Sequence, residues 1–230
     1  MRKLIMGIVE FREQMLPRYA AKFRNLAAAQ QPDTLFFACS DSRVVPDMLV
    51  STDPGDLFVV RNVGNLVPPA TIQGSSTGDL SEAGAIEYAV LVLNVRHIVV
   101  CGHSECGAMK AVVDRKSVPG APNLADWLLH AGTAMFRLER EGPLDARFKR
   151  HDQLSQLNVL VQLEHLMSYP LVRERVGAGT LRLAGCWFDI ESGDMYAYER
   201  SSQRFEIIDR NEAERLIAHL SESQLPDPPG

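Results

Sequence analysis

Short apolar runs bounded by turn residues recur along this sequence, and they are typical of strands that are buried on both faces. Three of them are TLFFAC at 34–39, DLFVVRN at 56–62 and RHIVVCGH at 96–103. Farther along, TLRLAGCWFDI at 180–190 and MYAYER at 195–200 flank the turn residues ESGD. That arrangement predicts a hairpin. We therefore expect three buried strands followed by an antiparallel pair.

Amphipathic helices are predicted where apolar side chains recur at steps of three and four residues. The segments with this spacing are 2–29, 83–93, 123–138 and 154–167. Pro17 is expected in the first turn of a second helix within the first segment, where its missing N–H has no effect. Asn123 is expected to cap the third segment, and Gly142 with Pro143 to end it.

Strands that alternate with helices predict an α/β fold with a mostly parallel sheet flanked by helices and an antiparallel edge strand. The N-terminal helices precede the first strand, and we expect them to pack on a second subunit. The chain is predicted to form one domain over residues 1–230. Its parts are a helical arm at 1–30, an α/β core at 31–200, and a C-terminal strand, helix and tail at 201–230.

The formal charge of -5, from 24 basic and 29 acidic residues, argues against nucleic acid or an anionic membrane as a partner. No apolar run reaches the roughly 18 residues of a membrane span, and the N-terminus lacks the apolar stretch of a secretory signal. The four cysteines are too few and too unevenly spaced for a disulfide framework. We expect a protein of the reducing cytoplasm, where clustered cysteines indicate metal binding or catalysis.

Candidate metal ligands follow two of the predicted strands directly. Cys39 ends the first strand run, and His103 and Cys106 follow the third. In open α/β sheets, active groups gather beyond the carboxyl ends of the strands, so these side chains can converge. Two thiolates and one imidazole suit zinc, and three protein ligands leave a fourth position open to water, as in catalytic sites.

Asp41 and Arg43 lie two residues apart in the segment that follows Cys39. Such residues can face the same side, and an arginine can then hold the carboxylate in a bidentate pair. This pairing would keep Asp41 ionised and turned away from the metal. A free carboxylate oxygen could then accept a hydrogen bond from zinc-bound hydroxide and orient it.

Simpler interpretations stand beside each of these motifs. The residues around Asp41 are common in loops, His103 could be a satisfied buried histidine, and Cys106 could fill apolar space. Cys101 and Cys186 lie inside apolar strands and are expected to pack in the core. The other histidines, which have no metal-like partner spacing, are expected to be surface or core residues: His97, His130, His151, His165 and His219.

Two long motifs resemble the signatures of the β-class carbonic anhydrases. They are FFACSDSRVVPDMLVSTDPGDLFVVRNVGNLVPP at 36–69 and EYAVLVLNVRHIVVCGHSECGAMKAV at 87–112. The resemblance implies reversible hydration of carbon dioxide to bicarbonate and a proton, through zinc-bound hydroxide and with zinc as the only cofactor. It implies that Cys39, His103 and Cys106 hold the zinc ion. The catalytic dyad would be Asp41 and Arg43.

The resemblance also implies a substrate pocket, an assembly and a branch of the family. In the plant-like branch, the residues lining the pocket match Gln30, Phe58, Val63, Tyr88 and Gly107. Several of them come from a neighbouring subunit in that branch, which implies a homodimer or a dimer of dimers. The branch that closes its zinc site has a tryptophan three positions before the first cysteine ligand, where this chain has Phe36. We therefore expect the open form, with water rather than Asp41 on the zinc ion.

Three alternatives remain open at this point. A hydrolase of a related small heterocumulene, such as carbon disulfide, would use the same zinc site. A structural-zinc regulatory module would recruit a fourth protein ligand, for which Cys101 is the nearest candidate. A nucleotide-binding α/β domain is disfavoured, because no strand is followed by a glycine-rich phosphate-binding loop.

Overall fold

The protein is described by a computed structural model that covers residues 1–116 and 118–222. The predicted tail beyond residue 222 lies outside the described residues. The strands form a single sheet in the order β2-β1-β3-β4-β5-β6. Their bounds are β1 (Thr34–Cys39), β2 (Leu57–Asn62), β3 (His97–His103), β4 (Arg182–Phe188), β5 (Met195–Glu199) and β6 (Arg204–Ile207).

The first four strands run parallel, and the last two are antiparallel. The predicted strands are confirmed to within two residues at each end, and the hairpin is formed by β4 and β5. The strand β6 lies within 201–230, where a C-terminal strand was expected, and pairs with β5 at the edge of the sheet. The α/β fold with a mostly parallel sheet is therefore confirmed, with two antiparallel strands rather than one.

Both faces of the parallel strands are covered. On one face, Leu35 and Phe37 of β1 join the larger core cluster, which also contains the fully buried Trp187 of β4. On the other face, Phe36 and Ala38 pack with Cys101 of β3. Because neighbouring side chains of a strand point to opposite faces, burial on both faces requires an unbroken apolar sequence. This requirement explains the apolar runs.

An N-terminal helical arm precedes the sheet. It consists of α1 (Arg2–Glu10), a wider π-helical turn at Phe11–Met15, and α2 (Leu16–Leu26). Pro17 lies in the first turn of α2, as predicted. The wider turn precedes the proline because a proline ring clashes with the carbonyl four residues earlier in a regular helix.

The remaining helices lie between and after the strands. They are α3 (Pro46–Leu49), α4 (Leu80–Glu87), α5 (Gly107–Val113), α6 (Pro122–Leu128), α7 (Gly132–Arg140), α8 (Arg150–Ser168), α9 (Pro170–Gly177) and α10 (Arg210–Glu222). A π-helical turn at Tyr88–Val92 extends α4, and a 3₁₀ turn at Leu129–Ala131 joins α6 to α7. Among the described residues, no helix is long and apolar enough to cross a membrane.

Several predicted helix boundaries were wrong. Asn123 does not cap α6, because Pro122 already occupies the first helical turn and Ala121 is the N-cap. The helix α4 begins at Leu80 rather than 83, where the Asp79 carboxylate accepts the N–H of Ser81 at 2.6 Å. The helix α8 begins at Arg150, four residues before its first predicted apolar position. At α4 a capping carboxylate and at α6 a proline set the boundary, and apolar spacing does not detect them.

Candidate metal centre

Three potential metal ligands meet at the carboxyl edge of the sheet. Cys39 is the last residue of β1, His103 is the last residue of β3, and Cys106 is the N-cap of α5. Their sulfur and nitrogen atoms all lie within 4.8 Å of one another, and all three residues are buried. The structure thus brings together the three side chains that the sequence suggested as ligands.

The ring of His103 is oriented as a metal ligand requires. Its Nδ1 lies 2.8 Å from the carbonyl oxygen of Ser104. A carbonyl only accepts hydrogen bonds, so Nδ1 carries the proton and Nε2 keeps a free lone pair. Nε2 is buried and has no hydrogen-bond partner among the described residues. A cation at the centre of the group would satisfy it.

The two sulfurs of the group are coupled to each other. The hydrogen bond from the Cys106 thiol lowers the pKa of Cys39, while the Cys39 sulfur opposite it raises the pKa of Cys106. The two opposite shifts show that each sulfur responds to the protonation of the other. Two buried sulfurs and one free imidazole nitrogen fit zinc, which binds such soft and borderline ligands without redox chemistry.

Asp41 and Arg43 form the bidentate pair that the sequence suggested. Arg43 Nε donates to Asp41 Oδ1 at 2.9 Å, and Nη2 donates to Oδ2 at 2.7 Å. This guanidinium holds the pKa of Asp41 well below its usual range. Within the part of the chain that the structure describes, Asp41 is not a member of the ligand group. The pair thus leaves the metal position with three protein ligands.

Cys101 and Cys186 take no part in this group. Cys101 is fully buried in β3, where it is the register partner of Cys186 in β4. Burial raises the pKa of both thiols. Both thiols are neutral; Cys101 lies in the core, and the partly buried Cys186 packs against it. This placement disfavours the structural-zinc alternative.

A second cluster contains Glu105, His151 and Asp152. His151 Nε2 lies 3.4 Å from Glu105 Oε2 and 3.5 Å from Asp152 Oδ1, a grouping that its position in the sequence does not indicate. The carboxylate of Glu105, however, is already paired with Lys110 and Lys149. Two ammonium groups on one carboxylate compete with any divalent cation, so this cluster is an ion-pair network.

The residues suggested for the substrate pocket do not all lie near the ligand group. Phe58 and Tyr88 pack against each other with ring centroids 5.8 Å apart. Phe58 is the register partner of Leu35, four residues before Cys39. At about 3.3 Å per residue, this places it about 13 Å along the strands from the Cys39 level. Gln30 precedes β1 and lies at the same distant edge.

Two other suggested residues lie at the carboxyl edge itself. Val63 directly follows β2 and is partly exposed. Gly107 begins α5, next to Cys106, and a Cβ added there would meet no atom within 4 Å. One chain therefore supplies Val63 and Gly107 near the metal ligands, while Phe58 and Tyr88 pack together farther along the strands and Gln30 precedes β1.

Known proteins match this chain over most of its length. A family profile described as carbonic anhydrase matches residues 34–195. A carbonic anhydrase of Pseudomonas aeruginosa is 43% identical over 206 residues, which cover 89% of this chain and 90% of that protein. A solved structure of the β-carbonic anhydrase CcaA has a TM-score of 0.82 and 34% identity, covering 90% of this chain and 98% of that chain. The chain belongs to the β-class carbonic anhydrases.

A second similar solved structure comes from tetrameric proteins. The chain resembles one of two tetrameric β-carbonic anhydrases from Sordaria macrospora, with a TM-score of 0.73 and 32% identity. That match covers 85% of this chain and 95% of the other. β-Carbonic anhydrases are zinc enzymes, and the group formed by Cys39, His103 and Cys106 has the donors for one zinc ion.

Sequence reasoning missed Arg61 of this carbonic anhydrase. Its guanidinium donates to the carbonyl oxygens of Cys39 at 3.1 Å, Asp41 at 2.8 Å and Val44 at 2.7 Å. One side chain thus holds the backbone that carries both a metal ligand and the dyad aspartate. The available signal was its position at the end of the FVVR run, at the same edge as Cys39.

Gly64, in the loop after β2, contacts the sulfur of Cys39. Its N–H donates to Cys39 Sγ at 3.4 Å, and its φ of +85° favours glycine. A Cβ at this position would lie 3.0 Å from the Cβ of Ala108. The loop after β2 can approach the cysteine this closely only because residue 64 has no side chain.

Replacing Arg61 with lysine is expected to destabilise the metal centre, because one ammonium group cannot reach three carbonyl oxygens in a planar fork. Hydrogen bonds from charged groups contribute about 1.5–3 kcal/mol each, so Arg61→Lys should lower the free energy of unfolding by at least about 1.5 kcal/mol. Urea denaturation and zinc content of the purified variant would measure this.

Arg147→Lys is the matched control, since Arg147 makes an exposed bidentate pair with Asp145. Exposed pairs contribute at most about 1 kcal/mol, and the control should keep its zinc. Equal stability and zinc content in the two variants would contradict the role assigned to Arg61.

Proposed function

We propose that this protein catalyses the reversible hydration of carbon dioxide to bicarbonate and a proton, with one zinc ion in each subunit. The observation that carries the proposal is the group of Cys39, His103 and Cys106 with the Asp41–Arg43 pair next to it. A structural zinc site has four protein ligands. Three ligands and an adjacent, held carboxylate are the arrangement of a catalytic site.

Zinc supplies Lewis acidity that lowers the pKa of a coordinated water molecule, to about 7 in sites with three histidines. Cys39 and Cys106 place more negative charge around that water than imidazoles do. They should therefore keep its pKa somewhat above that of the three-histidine sites. His103 contributes its Nε2, while the carbonyl of Ser104 holds the ring in the required tautomer.

Asp41 is proposed to orient the reacting water. Arg43 Nε and the Arg43 N–H both donate to Oδ1, at 2.9 and 3.0 Å, and only Nη2 donates to Oδ2. Oδ2 therefore keeps capacity to accept a hydrogen bond. Since Arg43 lowers the pKa of Asp41, the carboxylate is ionised at neutral pH and acts as an acceptor.

Carbon dioxide is apolar, and Val63, Phe58 and the ring of Tyr88 are proposed to receive it. The N–H of Gly107 is proposed to contact a substrate oxygen. Gln30, Phe58 and Tyr88 lie at the opposite edge of the sheet from Cys39 in one chain. We propose that a second subunit brings these residues to the site.

The arm supports this assembly. None of the residues of α1 is buried, and its large apolar side chains are exposed, including Leu4, Ile5 and Ile8. A contiguous exposed apolar surface on a helix is typical of an interface. We propose that the arm packs on a second copy in a homodimer, or in a dimer of dimers.

The site is proposed to be the open form. Arg43 holds both carboxylate oxygens of Asp41, so the carboxylate is not free to turn toward the ligand group. Phe36, which takes the place of the tryptophan of the closing branch, is buried against Ala38 and Cys101 on the other face of the sheet. Neither feature favours closure of the site by Asp41.

The whole chain is proposed to act as one domain in the cytoplasm. The arm, the core and the C-terminal strand and helix follow one another around a single sheet. All four cysteines are free thiols, which suits a reducing compartment.

Zinc analysis with stopped-flow measurement of carbon dioxide hydration tests this function. We expect about one zinc ion per subunit and a hydration rate that rises between about pH 6 and about pH 9. Asp41 cannot cause the rise, because Arg43 lowers its pKa and it is ionised throughout this interval. A flat profile would contradict the proposed water pKa. Zinc-loaded protein that hydrolyses carbon disulfide but does not hydrate carbon dioxide would favour the alternative hydrolase.

Substitutions in the dyad are expected to separate metal binding from turnover. Asp41→Asn should keep zinc and lose about 100-fold or more in kcat, because the amide orients water poorly. Arg43→Ala should also be nearly inactive, since the freed carboxylate can turn toward the ligand group. Asp47→Asn, on the exposed surface of α3, is the control and should keep its activity. Near-full activity of Arg43→Ala would contradict the gating role of the pair.

The proposed assembly is tested by size-exclusion chromatography with light scattering. The natural chain should form a dimer or a larger species, and Leu4→Glu combined with Ile8→Glu should shift it toward the monomer and lower its activity. Ile72→Glu is the matched control, because Ile72 is also apolar and is 91% exposed but lies outside the arm. A monomeric, fully active natural chain would exclude the shared pocket.

A further inference from the structure

The turn between two of the proposed zinc ligands contains a residue in an unfavourable backbone conformation. Glu105 lies between His103 and Cys106 and has a φ of 57°, in the left-handed region. Residues other than glycine adopt this region only where their surroundings hold them there. Because Glu105 separates the two ligands, its conformation sets how the imidazole and the sulfur are placed relative to each other.

Hydrogen bonds hold Glu105 on both sides of its backbone. Its N–H donates to Asp152 Oδ1 at 2.6 Å, and its carbonyl oxygen accepts from Arg43 Nη2 at 3.1 Å. The Glu105 side chain is paired with Lys110 and Lys149. The contact with Arg43 also links the ligand turn to the dyad. A shift of this turn would therefore move the guanidinium that holds Asp41.

Asp152 is itself firmly placed. It lies in the first turn of α8, which is a favourable position for a carboxylate, and it is 4% exposed. One turn later on the same helix, Ser155 Oγ donates to the carbonyl oxygen of His103 at 2.8 Å. Trp187 Nε1 donates to that hydroxyl at 3.1 Å. The rigid helix α8 therefore presents two side chains to the ligand turn.

We propose that Asp152 is a positioning residue of the zinc site, which fixes the left-handed turn at Glu105 and thereby the spacing of His103 and Cys106. Asp152 does not touch the ligand atoms and acts only through the backbone. The inference rests on the proposed function, because it assumes that these ligands hold zinc. What the turn needs from residue 152 is an acceptor oxygen at the Glu105 N–H, and a carboxylate and an amide both supply one.

The test compares zinc loss from purified holoenzyme variants in the presence of excess chelator. Asp152→Ala removes the acceptor and should release zinc about 10–100-fold faster, the usual effect of losing a group that holds a metal ligand in place. Asp152→Asn keeps an oxygen at the same position and should stay within about threefold of the natural protein. If the alanine variant does not fold, Asp152→Ser is the substitute, since its hydroxyl is too short to reach Glu105.

Asp145→Ala is the control for a purely structural effect. Asp145 also accepts a backbone N–H, that of Arg147 at 2.9 Å, and pairs with an arginine. The Asp145→Ala variant should have a lower melting temperature but should not lose zinc faster. The cobalt-substituted forms give a second readout: the visible spectrum of Asp152→Ala should differ from that of the natural protein, while the spectra of Asp152→Asn and Asp145→Ala should not.

The outcomes separate this inference from the proposed function. Zinc loss from Asp152→Ala at the rate of the natural protein would overturn the positioning role, even if the natural protein hydrates carbon dioxide. Equal acceleration in Asp145→Ala would overturn it too, because the effect would then follow stability alone. If the natural protein binds no zinc, the proposed function fails first, and this inference fails with it.

Discussion

The metal centre depends on two neighbouring parallel strands that end at the same edge of the sheet. Cys39 closes β1 and His103 closes β3, and the strands are in register up to Ala38 and Cys101. In an antiparallel pair these chain ends would lie at opposite edges, a full strand length apart. Parallel pairing therefore brings together ligands that are 64 positions apart in the sequence numbering, before any side chain contributes. The turn to Cys106 and the helix α5 then add the third ligand.

Negative charge is concentrated at this edge, and fixed positive groups and N–H donors balance it. Arg43 balances Asp41, and Arg61 binds three carbonyl oxygens of the same loop. The Gly64 N–H faces the sulfur of Cys39. A zinc ion would supply the remaining positive charge for two sulfurs. Arg43 binds both carboxylate oxygens of Asp41, and this contact supports the proposed open coordination position.

The sequence predicts the strands well and the helix boundaries poorly, for a physical reason. Burial on both faces makes β1 and β3 continuous apolar runs, whereas the starts of α4 and α6 depend on Asp79 and Pro122. Cys39, Asp41, His103 and Cys106 could be selected because they follow predicted strands. Arg61 also ends a predicted strand run, but its partners, which are backbone carbonyls of another loop, are not visible in the sequence. Asp152 has no such signal, since its partner is the backbone N–H of the distant Glu105. The pocket residues came from family resemblance alone.

The residues proposed for the substrate pocket fall into two groups that lie at opposite ends of the parallel strands. Val63 and Gly107 lie beside the ligands, while Phe58 and Tyr88 pack together about 13 Å away along the strands. On the proposed assignment of these residues, a single chain places one part of the pocket beside the ligands and the other part at the opposite end of the strands. A twofold axis between two copies would complete both pockets at once, because each copy would contribute the same pocket residues to the other. On this view the exposed apolar arm and the divided pocket have one explanation: the assembly that buries the arm also completes the site.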